Sequence, residues 1–182
     1  MDPIVDTVIA IETSDDLPSI QQAISQPLGY DRFVLFSASP ARDELVEKIF
    51  WVEGDWFGDG ETVDAQTYVR RCPVTRHVLE RDEPFFWTKT VSAGGEKYRV
   101  AGIHGLQVPI FGRAGLEGAM SFGGTRIDGA VRTRLMLTIV GAAAFRSARR
   151  LIEAREQKGT VNLSARERKC CAGSPPAVAK ST

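Results

Sequence analysis

Apolar and polar residues alternate most regularly in Gly105-Leu106-Gln107-Val108-Pro109-Ile110-Phe111 and in Ala119-Met120-Ser121-Phe122, either side of a turn rich in glycine (Gly112, Gly115, Gly118). Side chains of a strand point alternately to its two faces, so Leu106, Val108 and Ile110 are expected on one face and Gln107, Pro109 and Phe111 on the other. In the second strand Ala119 and Ser121 share a face, opposite Met120 and Phe122. The pattern predicts a hairpin whose loop needs the permissive backbone of glycine. One of its faces carries small and hydroxyl groups, which leaves room beside the sheet. Such a face suits either a closely packed helix or the wall of a ligand pocket.

The rest of the chain reads as helices, then strands, then helices, the hairpin, and a final long helix. Ile4, Val8 and Ile11 recur at helical spacing, and Asp15-Asp16-Leu17-Pro18 can cap a second helix with Leu17, Ile20 and Ile24 on one side. Pro27 and Gly29 close that layer. Residues 31–37 form an aromatic-rich strand that ends at Pro40, residues 41–48 read as a loop or one helical turn, and Ile49-Phe50-Trp51-Val52 as a second strand. Neighbouring strands in sequence usually lie side by side, so a meander is the simplest arrangement. Helices are expected over 62–71 and from Pro73, the latter with Val74, Val78 and Leu79 inward and Arg70, Arg71, Arg76 and Arg81 outward. Phe85-Phe86-Trp87-Thr88 then makes a strand or rigid wall, and Gly94-Gly95 a turn. From Asp128 to about Gln157 a long helix carries Leu137, Val140, Ala144, Ala148 and Leu151 on a stripe that Leu135, Ile139, Ala142 and Phe145 widen, with Gly159 as its stop. A stripe so broad would be buried against the sheet, a partner, or both.

With 182 residues, 43% of them hydrophobic, one domain with a substantial core is expected. Formal net charge is zero, which gives the chain as a whole no electrostatic attraction to nucleic acid or an anionic membrane. No apolar run approaches the roughly 18 residues of a membrane helix, and the N-terminus lacks the features of a secretory signal, so a cytoplasmic protein is expected. Cys72, Cys170 and Cys171 form neither an even disulfide framework nor metal-ligand spacing with His77 and His104. Cys72, His77 and His104 could supply a nucleophile and base, but no orienting group or oxyanion loop stands with them, and the chain is not read as an enzyme. No cofactor or metal is expected. Residues 1–157 are taken as the folded domain. Residues 158–182, ending in a Pro/Ala/Ser tail, are taken as a linker and helix remnant expected to be disordered.

Two stretches in order resemble one family. Gly105-Leu106-Gln107-Val108-Pro109-Ile110, followed by Gly112, Gly115, Gly118 and Ser121, is similar to the central hairpin of the autoinducer-binding domain of LuxR-type quorum-sensing regulators. Leu163-Ser164-Ala165-Arg166-Glu167-Arg168 looks like the opening of the helix-turn-helix that follows it there. Pro73 and Trp87, fourteen residues apart, match the family's proline and its second tryptophan. The resemblance covers roughly residues 15 to 168. It implies an α+β fold, an α-β-α sandwich around a five-stranded antiparallel sheet, with an acyl-homoserine lactone held between the sheet and one helical layer. It further implies that Trp87 meets the lactone, that Ser121 contacts the amide carbonyl, and that Trp56, near the place of the first tryptophan, helps enclose the ligand. Phe57 and Phe86 are expected to enclose it too. The family's tyrosine falls at Val63, unless Tyr68 takes its place. Cys72 stands where the family has the aspartate that accepts the amide hydrogen, and a sulfur is the weaker acceptor.

Three functions follow as expectations. The first is a ligand-binding, dimerising domain of a LuxR-type transcriptional regulator that takes an acyl-homoserine lactone or related acyl signal and binds no DNA by itself. The second is a truncated anti-activator that forms inactive heterodimers with a full-length regulator. The third is a sensor of GAF or PAS type for another small ligand.

Overall fold

The protein is described from a computed structural model that covers residues 3–28, 30–39, 46–56, 64, 67–68, 78, 81–89, 103–113, 115–124 and 127–161. Expectations for Phe57, Val63, Cys72, His77, the turn at Gly94-Gly95, and residues 162–182 lie outside these, as do most of the helices expected over 62–71 and from Pro73.

Helices α1 (Pro3–Thr13) and α2 (Leu17–Leu28) open the chain, with Asp16 accepting from the Ser19 N–H at 2.8 Å as the cap of α2. Strands β1 (Arg32–Ala38) and β2 (Val46–Glu53) follow, then β3 (Phe85–Lys89), β4 (Ile103–Gly112), β5 (Gly115–Gly124) and α3 (Val131–Val161). Every pairing is antiparallel and the order across the sheet is β2-β1-β5-β4-β3, which gives the expected α+β fold. The sheet departs from a plain meander: β1–β2 and β3–β4–β5 are consecutive, but the chain crosses from the β2 edge to the opposite edge to start β3. β5 thereby becomes the central strand, and the described residues of the crossing, Tyr68 and Val78, pack on the face it spans.

One face of the sheet is the helical face. Phe33, Leu35, Trp51, Leu106, Val108, Met120 and Phe122 meet Ile11, Ile20 and Ile24 from α1 and α2 and Leu137, Val140, Ala144 and Ala148 from α3. Phe122 lies edge-on to Phe33, with ring centroids 6.0 Å apart. Small residues let α3 come close. A side chain at Gly118 would overlap the Phe145 ring and the Phe36 carbonyl oxygen, so this glycine is dictated by close approach.

Several boundaries differ from expectation for local physical reasons. β2 starts at Val46, three residues before the apolar run, because Ala38 and Ser37 offer backbone partners to Val46 and Lys48. α3 starts at Val131 because Asp128 lies before it as a cap, accepting from Ala130 N–H and the Thr133 hydroxyl; these bonds hold the Asp128 carboxyl below the usual carboxylate range. α3 then carries on two residues past Gly159. Phe111 is exposed, since the pairing slips between Ile110 and Phe111 and the alternation ends there. Leu135 and Ile139 do not widen the buried stripe: they are 57% and 54% exposed, as is Val131 at 64%. Among the described residues no helix is long and apolar enough to cross a membrane.

Candidate ligand-binding site

The second face of the sheet is built differently. Val34, Phe36 and Ala119 form its apolar floor, joined by Trp56, Tyr68 and Val78, with Phe85 and Trp87 packed at the side. Its centre is set by two glycines, Gly105 on β4 and Gly123 on β5, which are direct partners across the ladder. Their missing side chains let two tryptophans lie against the sheet, and the aromatic face around these indoles is the candidate recess. Trp87 is the β3 partner of Gly105, and a Cβ on that glycine would overlap the indole at Cζ2 and Cε2 and lie 2.7 Å from Nε1. Trp56 sits over Gly123, where a Cβ would meet its ring atoms at 3.0 and 3.1 Å. The two indoles stack with centroids 5.9 Å apart and planes 28° from parallel, and Tyr68 meets Trp56 edge-on at 5.5 Å. Offset stacking and edge contacts are the arrangements that aromatic quadrupoles favour.

Polar groups on this face form a short chain. Ser121 donates to Gln107 Oε1, its partner across the β4–β5 ladder, and the Tyr68 hydroxyl lies 3.5 Å from Ser121 Oγ. All three side chains are buried. Trp56 is held in place by its own indole N–H, which donates to the Glu53 carbonyl at 2.8 Å. Two donors are left over: Trp87 Nε1 and Gln107 Nε2 are buried with no partner among the described residues. A third such atom, Trp51 Nε1, is on the helical face. Buried polar groups are paired in the great majority of cases, so two donors without a partner among the described residues make this face a candidate for contacts to a ligand's acceptors.

Of the residues expected at the site, Trp56, Tyr68, Trp87 and Ser121 are therefore brought together, while Cys72 lies outside the described residues. Tyr68, left as an alternative to Val63, occupies the aromatic position beside Trp56. Phe86 is a correction: strand alternation turns it away from Trp87, to the side of its partner Leu106, and it is 40% exposed. Gln107 and Gly123 escaped the sequence reading. Alternation sets Gln107 opposite Leu106 and Val108 within β4, and only the register shows it to be the neighbour of Ser121.

A second concavity of about 210 Å³ lies between α1 and α3, lined by Glu12, Arg146, Ser147 and Arg150. Arg146 pairs with Glu12 at 3.1 Å and Arg150 donates to the Glu12 and Ser14 carbonyls, so its charged groups are already occupied in closing the end of α1. It has no apolar lining for an acyl chain. Among the described residues no group of three histidine, cysteine, aspartate or glutamate side chains is placed to hold a metal.

Comparison with known proteins agrees with this geometry. The autoinducer binding domain family matches residues 13–151, from the end of α1 to the middle of α3, and so spans both layers and the recess. No curated protein matches the chain.

Proposed function

We propose that this chain, which belongs to the autoinducer-binding domain family of LuxR-type regulators, binds an acyl-homoserine lactone or related acyl signal in the recess over Gly105 and Gly123. The family is one of signal-binding regulatory domains rather than of enzymes. One observation carries the specific site: the indole N–H of Trp87 is buried beside an aromatic wall and has no partner among the described residues. A lactone carbonyl would accept from Trp87, Ser121 and Tyr68 would orient the acyl carbonyl, Trp56 would cover the ring, and the tail would lie along the apolar floor. Cys72 would replace the family's carboxylate acceptor, on the resemblance of its position to the family's pattern. No cofactor takes part, and the chain works in the cytoplasm as a signal-binding domain. Protein purified from cells supplied with a panel of acyl-homoserine lactones should carry one of them in stoichiometric amount, identified by mass spectrometry after extraction, and gain thermal stability from it. Absence of both would reject the assignment.

The signal-bound chain also dimerises, with a second copy or with a full-length regulator, through the outer side of α1 and α3. Val5 and Ile9, each about half exposed, lie on the α1 stripe that carries Glu12, while Leu135 and Ile139 lie on the α3 stripe that carries Arg146, and Glu12 and Arg146 pair. This is an apolar strip with a charge on each side: α1 has acidic Asp6 and Glu12 and no basic residue, and α3 has only arginines from Arg132 to Arg150. Two copies related by a two-fold axis set Val5 and Ile9 of one against Leu135 and Ile139 of the other, which covers both apolar strips. The Ile139→Asp chain should sediment as a monomer where the unaltered chain sediments as a dimer; identical sedimentation would exclude this face.

A further inference from the structure

The chain of bonds from Tyr68 through Ser121 ends on Gln107, and Gln107 has more hydrogen-bonding capacity than that chain consumes. Its Oε1 accepts from Ser121, its side chain is 1% exposed, and its Nε2 carries two hydrogens with no partner among the described residues. A glutamine in the centre of an apolar sheet face loses the solvation of that amide nitrogen. The serine bond alone would be served as well by a smaller acceptor. Two residues along β4, on the same face and roughly 6.6 Å away by strand rise, Gly105 carries the Trp87 indole with its own unpartnered N–H. This face therefore carries two spare donors, one from Gln107 and one from the indole that covers the neighbouring Gly105. Among the described residues no aspartate or glutamate is buried, so on the same evidence it offers no carboxylate to accept a donated N–H.

We propose that Gln107 is a specificity-determining contact, donating from Nε2 to an acceptor oxygen of the signal, so that Gln107 and Trp87 together select molecules that present two acceptors and need no amide donor. The inference rests on the recess being the signal site and deepens it by naming the ligand chemistry. An acyl lactone joined through an ester oxygen, or a ketone in the same position, satisfies both donors. An acyl lactone joined through an amide satisfies them equally but must bury its N–H against weak acceptors, which costs affinity.

The test compares two molecules on the whole chain: the N-acyl-homoserine lactone that stabilises it most, and the matching O-acyl lactone in which oxygen replaces the amide nitrogen. Calorimetric titration is expected to give the ester an affinity at least equal to that of the amide. The Gln107→Leu variant is expected to bind both roughly ten-fold more weakly while melting close to the unaltered chain, because removing an unsatisfied amide N–H offsets the loss of the acceptor for Ser121, whose hydroxyl keeps Tyr68 as a neighbour; a purely structural glutamine would instead clearly lower the melting temperature and leave affinity unchanged. A ten-fold or greater preference for the amide overturns the proposal while leaving the signal site standing, since it would show an N–H acceptor in the recess. Unchanged affinity of both molecules for Gln107→Leu likewise overturns it. Binding of neither molecule to the unaltered chain removes the signal site itself, and the proposal with it.

Discussion

Gly105→Ala is expected to lower signal affinity by roughly a hundred-fold while costing on the order of 1–3 kcal/mol of stability. The added methyl has no free direction. It projects into the indole of Trp87, overlapping Cζ2 and Cε2 and crowding Nε1, so the ring must lift from the sheet or turn. Either movement disturbs three things together. The indole N–H leaves the position in which it can meet a carbonyl, the stack with Trp56 opens, and the apolar wall beside Phe85 loses its backing. A misplaced hydrogen bond is worth about 0.5–1.5 kcal/mol net, and the loss of a well-packed aromatic wall adds a similar amount; at the upper end of these ranges the two together reach about two decades of affinity. Gly129→Ala is the control. Nothing lies within 4 Å of the new methyl and no positive backbone angle is needed there, so stability and binding should stay within about 0.5 kcal/mol of the unaltered chain. Isothermal titration with the bound signal, together with thermal melting, measures both quantities.

On the other face the expected effects change places. Phe122→Ala should destabilise the fold by about 3–5 kcal/mol, a fall in melting temperature of roughly 6–20 °C, with affinity for the signal little changed in the fraction that remains folded. Phe122 is fully buried, packs edge-on against Phe33 and tilted at 6.1 Å against Tyr30, and lies beneath α3 near Gly141. Removing its ring opens a void under all three helices that a rigid sheet cannot collapse to fill. Ser121 is its neighbour in sequence and points the opposite way. One step along β5 thus separates a residue that holds the fold from one that faces the signal, and melting curves of Phe122→Ala with and without ligand would show it. A variant that melts normally but has lost binding would contradict this division of the sheet.

That division was legible in the sequence because it follows from period-two alternation alone. Leu106, Val108, Met120 and Phe122 on one side and Gln107, Ala119 and Ser121 on the other are where the alternation puts them. Gly112 and Gly115 at the turn, the long helix and the order of the described elements were legible because they depend on local pattern and capping, whereas Gly118, read as part of the turn, lies within β5. What depends on register was not. Nothing in the spacing says that Gly105 faces Gly123 or that Gln107 faces Ser121, although these two pairs make the recess and its polar chain. The crossing from β2 to the far edge was also missed, because short-range neighbour preference favours a meander and cannot weigh a long connection that covers a whole sheet face. Leu135 and Ile139 read as core because their spacing fits a stripe. Apolar spacing alone does not say which side of a helix the sheet takes, and the side holding Leu137, Val140 and Ala144 won.

The claim that the signal lies against Trp87, on the face away from the three helices, can be measured through the chain's three tryptophan indole N–H groups. They stand in three different settings. Trp87 Nε1 has no partner among the described residues and faces the recess, Trp56 Nε1 is already donated to Glu53 while its ring stacks on Trp87, and Trp51 Nε1 lies on the helical face. In nitrogen-proton correlation spectra, with each peak assigned by a tryptophan-to-phenylalanine variant, saturating acyl-homoserine lactone should move the Trp87 peak strongly downfield as it gains an acceptor. The Trp56 peak should shift modestly through altered ring currents, and the Trp51 peak should hold its place. A bound signal that leaves Trp87 unmoved, or that moves Trp51 alone, would contradict the account.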